Sequence, residues 1–119
     1  NRKFKTIFCD IDGTIIKNQA EFWSPSYNDP PEVLEDNVAR LIELQNEGAQ
    51  IIFTTARNKK YTDDIAVMLE RLGFKNYTLL TGLNHSQRVV VNDYSSTNPN
   101  PSCTAINLER DVNTLRQYL

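Results

Sequence analysis

Short apolar, β-branched runs alternating with amphipathic helical stretches leave this chain few folds to choose from. Residues 4–9, 50–53 and 77–80 are runs of strand length, whereas 32–47 and 62–73 space their apolar residues three and four apart. The first helix places Leu34, Val38, Leu41 and Ile42 on one face, with Asp29 as its expected N-cap, prolines in its first turn and Gly48 as its stop. The second starts at Thr62, lines up Ile65, Met68, Leu69 and Leu72, and ends at Gly73. Residues 88–91 and 104–108 read as two further strands, and 111–118 as a closing helix. The expected order is β, loop, α, β, α, β, β, loop, β, α. Such alternation builds an α/β domain in which a mainly parallel five-stranded sheet is buried between helices on both faces. At 119 residues the chain fits one domain over 1–119. Residues 15–31 mix polar residues, prolines and the aromatics Phe22, Trp23 and Tyr27 without a period, which predicts a loop or small flap.

Composition narrows the function classes. Charged residues make up 24% and the net charge is only −2, so there is no electrostatic grip on nucleic acid or on an anionic membrane, and an anionic substrate must be held locally. Cys9 and Cys103 are too few for a disulfide framework, and Cys9 lies in an apolar run where a buried thiol is ordinary. No apolar run approaches the length a bilayer requires, and no leader pattern is visible. A cytoplasmic protein is the expectation.

The chemistry concentrates at expected strand ends, where open parallel sheets bind their ligands. The first strand runs into Asp10-Ile11-Asp12-Gly13-Thr14, the second into Thr54-Thr55-Ala56-Arg57, and the 88–91 run into Asn92-Asp93. Carboxylates two residues apart at a strand-to-turn junction point differently, so one can attack while the other moves protons. An ionised aspartate attacks phosphorus only when the approaching charges are neutralised, a task suited to Mg2+, a hard cation with oxygen ligands. Asp10, Asp12 and Asp93 are the candidate metal residues; Thr55 and Arg88 are the candidate phosphate clamp.

FCDIDGTI, IIFTTAR and RVVVNDY resemble, in that order, the first motif, the second, and the fused third and fourth motifs of the haloacid dehalogenase superfamily of aspartyl phosphatases. The resemblance implies a three-layer Rossmann-like core and an Mg2+-dependent phosphomonoester phosphatase. In it Asp10 is the nucleophile that becomes an aspartyl phosphate, and Asp12 the acid-base catalyst that also lends its backbone carbonyl to the metal. Thr55 would hold a phosphoryl oxygen. Arg88 stands where lysine is usual, with Lys75 as the fallback cation. Asn92-Asp93 offers one acid where two are common, so Asn92 would assist Asp93. Both gaps between motifs are too short for a cap domain, which implies a capless member with an open site. Such a site suits a bulky phosphorylated molecule, or a smaller ester, such as a sugar phosphate, enclosed by a neighbouring subunit of a homo-oligomer.

Other readings account for fewer of these residues. With Gly13 at the sixth position of an EF-hand loop, Phe8 and Gln19 fall at positions one and twelve, where neither can serve. A phospho-receiver or phosphate-binding signalling domain without turnover also holds acids at strand ends, but a receiver's acceptor belongs on the middle strand, whose end here carries Thr54-Thr55. Arg57 either binds substrate or pairs with an acid. His85, in a polar stretch, reads as a surface residue.

Overall fold

The computed structural model describes residues 4–18, 31–97 and 102–119. These form a small α/β assembly with a parallel three-stranded sheet. Strands β1 (Thr6–Asp10), β2 (Gln50–Thr54) and β3 (Thr78–Leu80) lie side by side in that order. Helix α1 (Glu35–Asn46) connects β1 to β2, and α2 (Thr62–Leu72) connects β2 to β3. The register sets Cys9 beside Phe53 and Phe53 beside Leu79; one residue on, it sets Asp10 beside Thr54 and Thr54 beside Leu80. Because side chains alternate across a strand, the first row faces the helices and the second the opposite face.

The helix-facing row holds the core. Phe53, Leu41 and Leu69 are wholly buried, with Ile51, Ile65 and Phe74 nearly so. Phe53 meets the Phe74 ring edge-on, 4.8 Å between centroids, and Tyr77 at 6.0 Å, geometries that add to simple area burial. Gly73 closes α2 in the left-handed region at φ 106°, as its position after the last apolar residue predicts. Helix α1 starts three residues later than expected, behind Leu34, which makes no side-chain cap bond; the expected cap, Asp29, lies outside the described residues.

The opposite face departs from expectation. Phe8 is 56% exposed and Leu80 42%, so among the described residues no second helical layer covers it. The residues expected to close the fold behave differently from their pattern. Residues 88–91 join no strand ladder: Val89 and Val91 are exposed, and the Arg88 guanidinium turns back onto the carbonyls of Asn84 and Ser86 at 3.0 and 2.6 Å. Residues 104–108 keep the expected alternation, with Ile106 and Leu108 half-buried against the core, but no ladder forms. A run of β-branched residues encodes fitness for a pleated surface, not the partner it needs.

The helix expected over 111–118 shrinks to a single 3-10 turn, Leu115–Gln117. Asp111 adopts a left-handed φ of 64° that breaks any helix there. The segment is drawn instead onto α1, where Leu115 is buried and the Arg40 Nε donates to the Leu119 carbonyl at 2.6 Å. Ile15 and Ile16, expected at the start of a flap, are core residues at 0% and 1% exposure, and Ile16 bridges to both Asp12 and Val33. Most of that flap, residues 19–30 with Phe22, Trp23 and Tyr27, lies outside the described residues. Among the described residues no helix is long and apolar enough to cross a membrane.

An ion-pair cluster fastens the C-terminal turn to α1. Arg116 reaches Glu43 at 2.7 Å and Asp36 at 3.4 Å, while Arg40 pairs with Glu43 at 3.0 Å. The two guanidiniums, Arg116 first, hold the Glu43 carboxyl down at about 2. A depressed carboxylate stabilises the fold above its ordinary value of 4.5 and loses that contribution as pH falls toward 2. Glu43→Gln is therefore expected to lower the melting temperature slightly at neutral pH, less at pH 3, and least of all as the pH falls through the folded value of about 2. The exposed setting and added salt both shrink the difference.

Candidate active site

Two strand ends and the turn after β1 build the site. Asp10 is the last residue of β1, in register with Thr54, so it stands beside the end of β2 from which the turn at Thr55 departs. Its charge environment is mixed. Burial of the carboxyl raises its pKa, the Ile11 backbone N–H lowers it, the neighbouring Asp12 charge raises it, and Arg88 and His85 lower it. The residue as a whole keeps more than a third of its surface in water, so solvent screens part of this effect. Beneath it, the Cys9 thiol is buried and pushed up to about 12, chiefly by desolvation, and its Sγ donates to the Asp10 carbonyl at 3.2 Å. Cys9 is thus an uncharged packing residue and no nucleophile.

The turn that carries Asp12 wraps around one carbonyl. Ile11 O accepts from Thr14 N, Ile15 N and Ile16 N at 3.2, 3.0 and 3.3 Å, and Gly13 N donates to Ile16 O at 2.7 Å. Gly13 sits at φ 86°, an angle that favours glycine, and a Cβ there would also crowd Arg110 Cγ at 3.2 Å. Asp12 projects from this turn onto Arg57, whose Nε donates to Oδ2 at 3.1 Å and whose Nη2 donates to Oδ1 at 2.9 Å. Both side chains are 18% exposed, which makes this the most sheltered ion pair among the described residues. A planar fork on a carboxylate is the strong form of the contact. The pairing of Arg57 with an acid, one of its two expected roles, is what the structure shows.

Thr55 is 2% exposed. Its Oγ1 accepts from Arg57 N at 3.0 Å, its own N–H donates to Leu80 O at 3.0 Å, and its carbonyl accepts from Leu83 N at 3.2 Å. The hydroxyl therefore shapes the turn that aims Arg57 at Asp12, and it lies at the same end of the sheet as Asp10. Arg88, although in no strand, is close enough to bias Asp10, as is His85. The electrostatic part of His85 was not legible in its polar surroundings; only the chain's return toward β1 after β3 creates it.

The remaining candidates stand apart. Asn92 and Asp93 are exposed and tied to Ser102, whose Oγ accepts from Asn92 Nδ2 at 2.8 Å and donates to the Asp93 carbonyl at 2.5 Å. Asp93 is not among the charges that act on Asp10, and no group of three or more His, Cys, Asp or Glu side chains able to hold a metal forms among the described residues. Asp10 and the Asp12 turn supply hard oxygen donors of the kind magnesium takes, one or two carboxylates completed by water and substrate phosphate, while Asp93 stands apart from them. Lys75 lies between α2 and β3, at the amino ends of the strands, with its N–H on Gln45 Oε1 at 2.7 Å. It cannot reach a group bound at Asp10.

No family model, no curated protein and no solved structure matches the chain.

Proposed function

We propose that this chain is a phosphomonoester phosphatase of the haloacid dehalogenase type, with Asp10 as nucleophile and Asp12 as the acid-base group. The observation that supports it best is the meeting at one end of a parallel sheet of two carboxylates at β1, a buried threonine at the end of β2 and the cations Arg57 and Arg88. In this reading an Asp10 oxygen bonds to phosphorus as the ester P–O bond breaks, and Asp12 gives its proton to the leaving oxygen. Asp12 then takes a proton from water, which attacks the aspartyl phosphate and releases inorganic phosphate and free Asp10. Arg57 takes one site on each Asp12 oxygen, and an arriving phosphoryl group gives the guanidinium an alternative anion. Asp10 must be ionised to attack, and burial, which raises its pKa, moves the acid limb of the rate profile upward.

Magnesium dependence and the five-stranded Rossmann-like core belong to the same proposal. The five-stranded core calls for residues 88–91 to pair along the β1 edge, which would carry Asp93 to Asp10 as a further oxygen donor for the metal. The substrate class stays a proposal of the same kind: a bulky phosphorylated molecule, or a sugar phosphate enclosed by a second subunit. A phosphate-binding role without turnover is favoured by the separation of Asp93 from Asp10. Hydrolysis of p-nitrophenyl phosphate with and without Mg2+ separates the two. Turnover that requires Mg2+ and drops by roughly 10²-fold or more in Asp12→Asn is expected; turnover without metal, or unaltered by that substitution, contradicts the proposal.

A further inference from the structure

Asn37 is wholly buried on the apolar face of α1, in company with Leu34, Val38, Leu41 and Leu44. An amide at such a place costs stability unless every polar atom is partnered, and here every one is. Nδ2 donates to Thr14 O at 2.8 Å and to Val112 O at 2.9 Å; Oδ1 accepts from Leu115 N at 2.9 Å; the backbone N–H donates to Asn113 Oδ1 at 2.8 Å. One side chain thus joins the turn after Asp12 to the C-terminal segment 109–115. That segment holds the same turn directly: Asp111 N donates to Gly13 O at 2.9 Å, and Asp111 Oδ1 accepts from Asn18 N at 2.7 Å. The two carbonyls that follow Asp12 are therefore both fixed from outside the turn, one by α1 and one by the C-terminal segment.

We propose that Asn37 is a positioning residue of the site: it clamps the turn at 12–16 to the C-terminal segment and so sets the angle at which Asp12 leaves β1. The proposal rests on the reading of Asp10 and Asp12 as the reacting pair, but the clamp itself is mechanical and has its own readout. Asn37→Asp keeps the shape and the Leu115 contact while turning an acceptor toward the carbonyls of Thr14 and Val112. Asn113→Ala removes one exposed anchor and serves where Asn37→Asp does not fold. Leu44→Ala, on the same helix face and away from the turn, controls for lost stability.

Amide hydrogen exchange and p-nitrophenyl phosphate kinetics with Mg2+ are measured on all four proteins. Asn37→Asp is expected to speed exchange at residues 13–16 by about tenfold or more while 51–53 stay protected. Its kcat is expected to fall roughly 10–100-fold with KM nearly unchanged, since a small misplacement of a reacting group has this cost. Asn113→Ala shows the same pattern at smaller scale, and Leu44→Ala lowers the melting temperature with kcat intact. Unchanged exchange at 13–16, or a kcat loss no greater than that of Leu44→Ala, overturns the proposal. Faster exchange in a protein whose native form has no turnover upholds the clamp and removes the phosphatase reading.

Discussion

Asp10→Asn is expected to abolish turnover, by about 10³-fold or more, and to leave the protein slightly more stable than the native chain at neutral pH. The first half follows from the proposed role: an amide forms no aspartyl phosphate, and loss of a covalent nucleophile removes most of the rate. The second half follows from electrostatics alone. Burial, reinforced by Asp12, raises the Asp10 pKa, so the folded protein holds that proton more tightly than the unfolded chain. Stability is then highest where both states are protonated and declines as pH rises through the unfolded and then the folded pKa. Asparagine removes this cost. Because the residue is partly in water, the gain is small, and it disappears in acid. Melting curves at pH 7 and pH 3 check the sign; a variant less stable than the native chain at pH 7 would mean that Arg88 and His85 outweigh burial. The trade is common at reactive sites, where function holds a group in a place that stability alone would not choose.

The largest stability loss is expected from Phe53→Ala. Phe53 is wholly buried in the middle strand, between Cys9 and Leu79 in register and against the rings of Phe74 and Tyr77. Removing such a ring costs about 3–5 kcal/mol, from lost transfer free energy and the cavity left behind. Domains of this kind have about 5–15 kcal/mol in all, so urea unfolding should show a midpoint shifted far downward or no folded baseline. The next two residues are Thr54 and Thr55, and damage at Phe53 reaches the site by that route. A loss under about 1 kcal/mol would mean that the core is not centred on β2.

Much of this architecture is written plainly in the chain. The five elements from β1 to β3 carry either a period of two or an apolar stripe at helical spacing, and each forms close to where it is expected. The placement of Asp10 and Thr55 at the same end of the sheet follows from the same signals, since Asp10 ends β1 and Thr55 follows β2. What was not legible depends on partners distant in sequence. Val89, Val90 and Val91 have the composition of a strand, but composition does not say which edge they meet, and among the described residues they meet none. Ile15 and Ile16 are adjacent apolar residues ahead of a proline-rich stretch; their burial comes from the turn around the Ile11 carbonyl. The final helix shrinks to one turn because the left-handed φ of Asp111 breaks it and the Asn37 side chain takes up the backbone groups of Val112 and Leu115. Asn37 did leave a trace: it stands three residues after Leu34 and four before Leu41, on the stripe where an apolar residue belongs. A polar residue on that stripe marks a place where backbone from another segment must arrive.

In the proposed reaction Asp10 carries the phosphoryl group. Asp12→Asn retains the nucleophile but lacks the group that activates water, so an aspartyl phosphate should accumulate in it. After incubation with p-nitrophenyl phosphate and Mg2+, acid quenching and peptide mass spectrometry, a phosphoryl group is expected on Asp10 in Asp12→Asn, and none when Asp10→Asn is added. Phosphate on another residue, or release of nitrophenol at native rate by Asp10→Asn, would contradict the claim.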